Sequence, residues 1–524
     1  MKKMRMLSLL LAAAVSVSLL AGCGGGGGTS TSQDSATSGS GTGTTVSTEG
    51  REDLVIAMPE DLETFDPIST SAMATQAVHN MMYVRLYYND TNDQPVPMLA
   101  EEMTVVSDTE IDIKIKDGFT FTDGTPVTAE DVVYTLQRAL ESPNFSTLLA
   151  TVSGFEVIDE LNFRIVTTGP SPSIRVALMH PGTGILPKAY VEEALASGDW
   201  SEPVCSGPFK FESRSVGESV KLVKNDTYAD ESTSAQCNSL TFRYVPEASS
   251  RTVLVETGEA DVNFQFATAD YARASENPNL AIHEHTGTVV QYIGVDTTIA
   301  PFDNKLVRQA LNYAINREDV MTVVAEGLGT VNYSVLPPTT IGYLENPSNY
   351  TYDPEQAKAL LAEAGYPDGF DTTLVAFNDL GRRVCEVVQM FLMEVGINAE
   401  IETYDTSVRV SMIANHEVPM FSGQWGAMSD ADLVLPRLFT QEAIGGMNFT
   451  HYTNPQLDEL FAAGRSTYDE AERVSIYEDC VTLLADEAPW CPLYIPSAFA
   501  LTNADLQGVE LSGESIINMW NLHY

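Results

Sequence analysis

Residues 301–315 read PFDNKLVRQALNYAI and carry the clearest periodic pattern in the chain. Beyond the proline, apolar residues recur at intervals of three and four, which is the period of one helix face. These apolar positions are Leu306, Val307, Ala310, Leu311, Ala314 and Ile315. The pattern predicts an amphipathic helix over residues 304–316 whose apolar face packs on a core.

Strand and helix patterns alternate on both sides of this segment. Residues 54–57 are apolar throughout and residues 110–116 alternate apolar with polar, as buried and half-buried strands do. Thr128, followed by Asp131, resembles a capping box and predicts a helix start. Further helices are expected at 353–365, 384–395 and 470–484, a strand at 397–401 and an apolar segment at 490–500. This alternation predicts an α/β architecture.

The composition excludes several classes of protein. The 524 residues suffice for two to four domains, and a hydrophobic content of 44% excludes a disordered chain. The 72 acidic residues against 28 basic ones give a net charge of −44, which excludes nucleic acid as a partner. Six cysteines are too few for a disulfide scaffold. Cys205 with Cys237, and Cys480 with Cys491, could pair or could be free buried thiols.

The N-terminal sequence predicts a signal peptide and a lipid anchor. Three cations precede the apolar residues 6–20, a run too short to span a membrane. The run ends in LAGC at 20–23, which resembles the bacterial lipobox, so Cys23 is expected to be lipidated after removal of a signal peptide at 1–22. A Gly/Ser/Thr-rich tether at 23–50 follows. The alternative is an ordinary secretory signal with an incidental Cys.

A search for catalytic motifs finds none of the common ones. Nucleophile elbow, zinc-protease, Walker and CxxC patterns are all missing from the sequence, so no enzymatic activity, cofactor or metal is expected. His283 and His285 could share a strand face, but surface histidines account for them more simply. Asp430 and Asp432 are a close carboxylate pair and keep a surface hydrolase as a remote alternative.

The segment at 301–315 resembles the central motif of the bacterial extracellular solute-binding proteins, family 5, which serve peptide and nickel ABC importers. Other segments resemble motifs of the same family, in the family's order: 62–67 (LETFDP), 97–101 (PMLAE), 119–132 (FTFTDGTPVTAEDV), 206–211 (SGPFKF) and 352–365 (YDPEQAKALLAEAG). The ordered series covers nearly all of the chain beyond the tether.

The resemblance implies a two-lobed, clamp-like α/β periplasmic-binding-protein fold (type II) with an additional subdomain in lobe I. The expected boundaries are 51–289 with 498–524 for lobe I, about 97–205 for the subdomain and 290–497 for lobe II. The apolar segments 289–295 and 493–498 are the expected crossovers between lobes. Closure about such hinges leaves each lobe rigid.

The implied function is capture of a di- or oligopeptide for an ABC permease by a monomer anchored outside the cell membrane. Two alternative cargoes are glutathione and a nickel chelate, for which His283 and His285 remain candidates. A further alternative is an interaction-only lipoprotein that has lost transport.

Enclosing a zwitterionic peptide requires opposite charges, and an Asp for the ammonium with an Arg for the carboxylate is the natural pair. The stretch 423–439 resembles the amine-binding segment of dipeptide- and glutathione-binding relatives, which implies Asp430 or Asp432 as the ammonium partner and Trp425 as an aromatic wall. It departs from the family at Gln424 and Leu433, which bears on cargo length.

Four further residues complete the expected site. Arg382 and Arg383 precede a helix that resembles the carboxylate-reading segment of peptide binders, and a solvated pair at a helix start is the alternative. Met73 and Tyr292 are candidate wall residues, with plain core packing as the alternative. Arg308, the arginine of the central motif, is expected to be structural.

Overall fold

The computed structural model describes residues 50–426, 428–513 and 515–524. The expected signal peptide, Cys23 and all of the tether except Gly50 lie outside the described residues. Within the described residues, every helix is too short or too polar to span a bilayer.

The described residues form 20 strands. In chain order they are β1 (Asp53–Met58), β2 (Tyr87–Asn89), β3 (Pro95–Pro97), β4 (Ala100–Ser107), β5 (Glu110–Ile115), β6 (Val152–Val157), β7 (Asn162–Thr167), β8 (Phe209–Ser215), β9 (Ser219–Lys224), β10 (Ser239–Tyr244), β11 (Val262–Asn263), β12 (Leu280–Thr286), β13 (Val289–Val295), β14 (Gly329–Val331), β15 (Phe370–Ala376), β16 (Ile397–Thr403), β17 (Met420–Gly426), β18 (Trp490–Asn503), β19 (Glu510–Leu511) and β20 (Ile516–Ile517).

The same residues form 14 α-helices. They are α1 (Met73–Met82), α2 (Ala129–Glu141), α3 (Ile174–Leu178), α4 (Lys188–Ser197), α5 (Ala248–Glu256), α6 (Tyr271–Ser275), α7 (Lys305–Ala314), α8 (Arg317–Val324), α9 (Pro354–Glu363), α10 (Asp379–Glu394), α11 (Thr406–Ala414), α12 (Leu435–Phe439), α13 (Pro455–Ser466) and α14 (Glu470–Glu487).

One large sheet runs through the molecule. Its strands follow the order β16-β15-β17-β13-β18-β11-β1-β10-β9-β8, and β12 and β14 also pair with β18. A separate antiparallel sheet, β4-β5-β7-β6, lies within residues 100–167. The mixture of parallel and antiparallel pairs, with helices between strands, is the α/β architecture that the alternation predicted.

Strand β18 joins the two halves of the large sheet. Its first part pairs with β13 and its last part pairs with β12, so the two expected crossover segments lie side by side, with Gln291 opposite Tyr494. Gly287, between β12 and β13, lies so close to β18 that a Cβ would come 2.3 Å from the Pro496 carbonyl oxygen. Only glycine allows the backbones to approach this closely.

Hydrophobic packing separates the same two halves. The largest core cluster is built from residues 54–264 together with residues 500–522, and it includes the fully buried Trp520 near the C-terminus. Two other clusters are built only from residues 292–494. The core residues of the described chain therefore fall into two groups, which we call the first body (54–264 with 500–522) and the second body (292–494).

Local sequence signals place the helix ends. Helix α7 confirms the prediction at 304–316: the Asn304 side chain caps it by accepting a hydrogen bond from Leu306 N, and the apolar stripe is buried. The capping box of Thr128 and Asp131 at α2 is also confirmed. Helix α10 begins at Asp379, five residues earlier than expected, because Asn378 caps it by accepting from Gly381 N.

The described cysteines form no disulfide. Cys205, Cys237, Cys385, Cys480 and Cys491 are buried free thiols. The suggested pairings of Cys205 with Cys237 and of Cys480 with Cys491 are therefore wrong, and the alternative of free thiols is confirmed. Burial raises the pKa of the Cys205, Cys237 and Cys480 thiols to about 12, because a thiolate is poorly solvated there.

Candidate functional site

A cleft of about 330 Å³ lies between α1 of the first body and the residues that follow β17; we call it the main cleft. Met73 and Asn80 of α1 line one side, Met428 and Ser429 line the other, and Thr288 lies at the junction of β12 and β13. Its volume falls within the range of small-molecule sites, about 300–1,000 Å³. Both bodies and the strand junction between them contribute to the main cleft.

The apolar part of the main cleft is rich in methionine. The methionines that line it are Met73, Met81, Met179, Met428 and Met519. Methionine has three rotatable bonds and a polarisable sulfur, so it adapts to side chains of different shape. This lining suits ligands that vary in their apolar groups.

The polar part of the main cleft contains side-chain atoms without a partner in the described structure. They are the Asn80 Oδ1, the Thr288 Oγ1 and the Ser429 Oγ, all inaccessible to solvent. A buried polar atom without a hydrogen bond is costly, and such atoms are uncommon in folded proteins. All three atoms belong to side chains that line the same cavity.

Asp93 supplies the negative charge of the main cleft. It accepts hydrogen bonds of 3.3 Å from Asn89 Nδ2 and from Gly513 N. Burial raises the pKa of Asp93 above its ordinary value, although these hydrogen bonds act in the opposite direction. No lysine or arginine is among the described residues lining the cleft, and His285 is the ionisable group that acts on Asp93 from nearby. A positively charged ligand group would supply a stronger counter-charge.

His180, the other ionisable residue of the lining, adds no positive charge near neutral pH. Its Nδ1 accepts a hydrogen bond of 3.1 Å from Gly182 N. Burial, assisted by the nearby Arg85 guanidinium, lowers the pKa of His180 to about 4. The main cleft is therefore negative on balance.

A smaller cavity of about 180 Å³, the side pocket, is lined by Tyr292, Phe377, Arg409 and Trp425 among others. The Arg409 guanidinium lies 4.2 Å from the centre of the Phe377 ring, and its Nη1 donates to Phe377 O at 2.8 Å. The Arg409 Nε and the Trp425 Nε1 are buried without a partner among the described residues. Burial lowers the pKa of Arg409. The partly buried guanidinium of Arg409 places a cation at this pocket, which suits an anion such as a carboxylate.

The sequence matches a family model over residues 94–446, and its description is bacterial extracellular solute-binding proteins, family 5 middle. The chain belongs to this family. Members are substrate-binding components of transporters.

The solute-binding protein resembles relatives along almost its whole length. It is 30% identical to the glutathione-binding protein GsiB of Shigella dysenteriae, covering 87% of this chain and 91% of that one. The Helicobacter pylori periplasmic binding protein DppA, solved with the peptide STSA, superposes with a TM-score of 0.69 at 25% identity over 90% and 97% of the two chains. The open, unliganded murein tripeptide-binding protein MppA gives 0.83 at 20% identity over 90% and 97%. The fold is the expected two-lobed, clamp-like one.

The solute-binding protein holds Asp430 and Asp432 in ion pairs. Asp430 is buried, and its two oxygens accept hydrogen bonds of 2.5 and 2.7 Å from Arg473. Burial alone would lower the pKa of Arg473, but the Asp430 carboxylate raises it above the ordinary value. Asp432 binds Arg465 through both oxygens at 3.1 and 3.2 Å. Neither carboxylate is among the residues lining the main cleft or the side pocket.

The predicted arginine pair also lies away from both cavities. Arg382 and Arg383 are on the exposed side of the first turns of α10, not before the helix as expected. Arg382 pairs with Glu386 one turn later at 3.2 Å, and Arg383 makes one long hydrogen bond of 3.5 Å to Val323 O.

The predicted wall residues lie at two different cavities. Met73 lines the main cleft, whereas Trp425 and Tyr292 line the side pocket. The Tyr292 ring stacks on Trp490 with centroids 3.5 Å apart and lies over Gly423, where a Cβ would come within 2.4 Å of it. Tyr292 therefore contributes to the core as well as to the pocket wall.

The remaining singled-out residues make contacts within the protein. Arg308 is buried and binds Glu487 through its main-chain oxygen and its carboxylate, which confirms its structural role. His283 Nε2 lies 2.9 Å from Thr502 Oγ1, and His285 Nδ1 lies 2.7 Å from Thr286 O. In the described residues, neither histidine joins a three-ligand cluster.

Asp93 and Arg409 line the two cavities but were not among the site residues predicted from the sequence. Asp93 lies in the polar turn between β2 and β3 and reads as an ordinary turn residue among 72 acidic ones. Its backbone φ of 59° and its burial distinguish it only in the folded chain. Arg409 follows a strand and an aspartate in an unremarkable helix, and the missing carboxylate partner is visible only in three dimensions.

Proposed function

We propose that this protein captures di- or oligopeptides in the main cleft and delivers them to an ABC permease. The observation that carries the proposal is the cleft itself, whose lining combines a buried carboxylate, several polar side chains and a methionine-rich wall. A peptide offers an ammonium, backbone donors and acceptors, and variable side chains. Each of these groups has a counterpart in the lining.

The charges of the two cavities support specific roles. We assign the ligand ammonium to Asp93 in preference to Asp430 and Asp432, because the latter two are already neutralised by arginines. We assign the ligand carboxylate to Arg409 in preference to Arg382 and Arg383, because of these three arginines only Arg409 lines the main cleft or the side pocket. Met73, Trp425 and Tyr292 act as walls.

Ligand capture would proceed by closure of the two lobes. We take the lobes as residues 51–289 with 498–524, and 290–497, with the subdomain at about 97–205. Support comes from the higher TM-score with the open, unliganded relative, 0.83, than with the peptide-bound one, 0.69. Closure about β13 and β18 would bring Arg409 nearer to Asp93 and exclude water from the cargo.

The setting of this function follows from the N-terminal sequence. A lipidated Cys23 and the Gly/Ser/Thr-rich tether to residue 50 would hold a monomeric body at the outer face of the cell membrane, beside the permease. Metabolic labelling with a radioactive fatty acid tests the anchor. Labelled wild type and unlabelled Cys23→Ala are expected.

Isothermal titration of the full chain with a peptide library tests the cargo. Di- to pentapeptides with free termini are expected to bind, whereas the same peptides with an acetylated N-terminus should bind more weakly because Asp93 loses its partner. A folded protein that binds none of the free peptides contradicts the peptide assignment.

Glutathione is the second candidate cargo. The supporting observation is the 30% identity to a glutathione-binding protein over 91% of that chain. Glutathione has one ammonium and two carboxylates, so it also suits Asp93 and Arg409. Titration with glutathione beside a tripeptide of similar size separates the two. Binding of glutathione alone would favour this candidate over peptides.

A further inference from the structure

Asp296, His416 and His451 converge on one point although they are far apart in the chain. The Nδ1 atoms of His416 and His451 lie 3.0 and 2.8 Å from the same oxygen, Oδ2 of Asp296. The two imidazole rings face each other with centroids 4.0 Å apart. All three ligand-type atoms lie within 4.8 Å of one another.

The backbone and neighbouring side chains hold this arrangement. Asp296 directly follows β13, and its Oδ1 accepts two hydrogen bonds from Thr298, from N at 2.9 Å and from Oγ1 at 2.6 Å. The other oxygen is therefore left to the histidines. His416 and His451 have φ values of 55° and 49°, a left-handed conformation that non-glycine residues seldom adopt. Such conformations concentrate at functional sites.

Hydrogen bonding alone does not satisfy the cluster. His451 is buried, with 4% exposure, and its Nδ1 makes no properly directed hydrogen bond despite its distance of 2.8 Å from Asp296. Two ring nitrogens and a carboxylate oxygen that share one point are the donor set that a divalent cation of the zinc type prefers. Tetrahedral ligands about 2.0–2.1 Å from Zn²⁺ lie about 3.3 Å apart, so small outward shifts of the two rings would admit the ion.

The cluster is remote from the cargo site. Strands β13 and β17 are antiparallel, with Val289 opposite Gly426 at one end and Val295 opposite Met420 at the other. The main cleft adjoins the first end, whereas Asp296 and His416 lie beyond the second. Seven residues of strand separate the two ends by about 20 Å. The His416 side chain is 48% exposed, which gives an ion access from solvent.

We propose that Asp296, His416 and His451 form a binding site for one divalent transition-metal ion of the Zn²⁺ class. The ion would tie together three chain segments: the end of β13, the turn before β17 and the segment before α13. Three protein ligands leave a coordination position for water. The net charge of −44 favours accumulation of cations around the protein.

Titration with Zn²⁺ tests the site. The full chain is purified without a histidine tag, and a chelator removes bound metal before the titration. About one equivalent is expected to bind and to raise the Tm. His416→Asn is the test variant because Asn tolerates the left-handed backbone but is a poor zinc ligand. Its affinity for Zn²⁺ should fall by at least about 10–100-fold, the loss seen when only a ligand's supporting partner is removed.

His283→Asn is the matched control, since it removes a histidine from another part of the protein, and it should keep the wild-type affinity. His416→Gly, which also suits the backbone, should reproduce the loss. Peptide affinity should stay unchanged in all three variants. Unchanged zinc affinity in His416→Asn and His416→Gly, or no binding of Zn²⁺ to the wild type, overturns the proposal.

Discussion

Two groups of buried carboxylates in this protein have opposite surroundings. Asp430 and Asp432, which follow β17, each bind an arginine through both oxygens. Asp93, in the main cleft, accepts hydrogen bonds from Asn89, Gly513 and Ser512, and its nearby ionisable group is His285. The first group therefore has arginine counter-charges bound through both oxygens, and the second has no arginine or lysine partner.

This difference separates structural from binding charges. A buried ion pair contributes to specificity of the fold and leaves little capacity for a ligand, because a new partner must first displace the old one. An uncompensated buried carboxylate destabilises the empty protein but becomes favourable once a cation arrives. The five predictions below test this division.

Asp430→Asn should have the largest effect of all the variants, and the quantity affected should be the free energy of unfolding. Arg473 would remain buried without its counter-charge, and breaking a buried pair in this way costs about 3–5 kcal/mol. Urea unfolding of the full chain measures the loss. Asp432→Asn is the control and should cost less, because the Arg465 side chain is 43% exposed and can turn to solvent. Wild-type stability with lost peptide affinity in Asp430→Asn would restore Asp430 as the ammonium partner.

Asp93→Asn should have the opposite result: peptide affinity should fall, and stability should not. Removing one member of a buried ligand charge pair costs about 2–5 kcal/mol of affinity, whereas the stability of the empty protein should be unchanged or higher. Isothermal titration and urea unfolding on the same preparation measure the two quantities. A loss of stability without a loss of affinity would contradict the assignment.

Asp93 should also make both stability and peptide affinity depend on pH, in opposite directions. Its pKa is raised in the folded state, so the stability it contributes is present below its unfolded value and is lost as pH rises through the folded value. Peptide binding should change in the opposite sense and weaken as pH falls through the folded value, because a protonated carboxyl cannot pair with an ammonium. Asp93→Asn should lack this part of the pH profile.

The comparison also explains what could be predicted from sequence. The helix at 304–316 and the capping box at Thr128 were predictable because their signals are local, set by residues three or four apart. The stretch containing Asp430 and Asp432 was recognisable, but its arginine partners lie 43 and 33 residues further on. Whether a carboxylate is paired depends on tertiary contacts, so their pairing could not be read from the chain.

The surroundings of the candidate arginines also depend on tertiary contacts and could not be predicted from the sequence. Arg382 and Arg383 were expected to precede a helix that resembles a carboxylate-reading segment, yet the cap at Asn378 starts α10 earlier and both lie on its exposed side. The cation of the side pocket, Arg409, has no distinctive neighbours in sequence. Its unpartnered Nε depends on the packing of Phe377 and Trp425 around it.

Arg409→Gln extends the comparison to positive charge. The variant keeps a polar side chain but loses the guanidinium that lies over the Phe377 ring and donates to Phe377 O, so the empty protein should lose about 0.5–1.5 kcal/mol of stability. Affinity for free peptides should fall by about tenfold or more, corresponding to about 1.4 kcal/mol. Peptides with an amidated C-terminus should bind wild type and variant nearly equally. A uniform loss for free and amidated peptides would show that Arg409 does not contact the carboxylate.

Arg382→Gln should have the smallest effect. The side chain and its partner Glu386 are each 55% exposed and one helical turn apart, an arrangement that contributes about 0.3–0.5 kcal/mol. Its loss should be within the error of urea unfolding, and peptide affinity should match the wild type. Arg383→Gln should behave alike, since its one bond to Val323 O is long. A clear fall in affinity for free but not amidated peptides, in either variant, would instead mean that closure brings α10 to the ligand and that the exposed arginines, not Arg409, read the carboxylate.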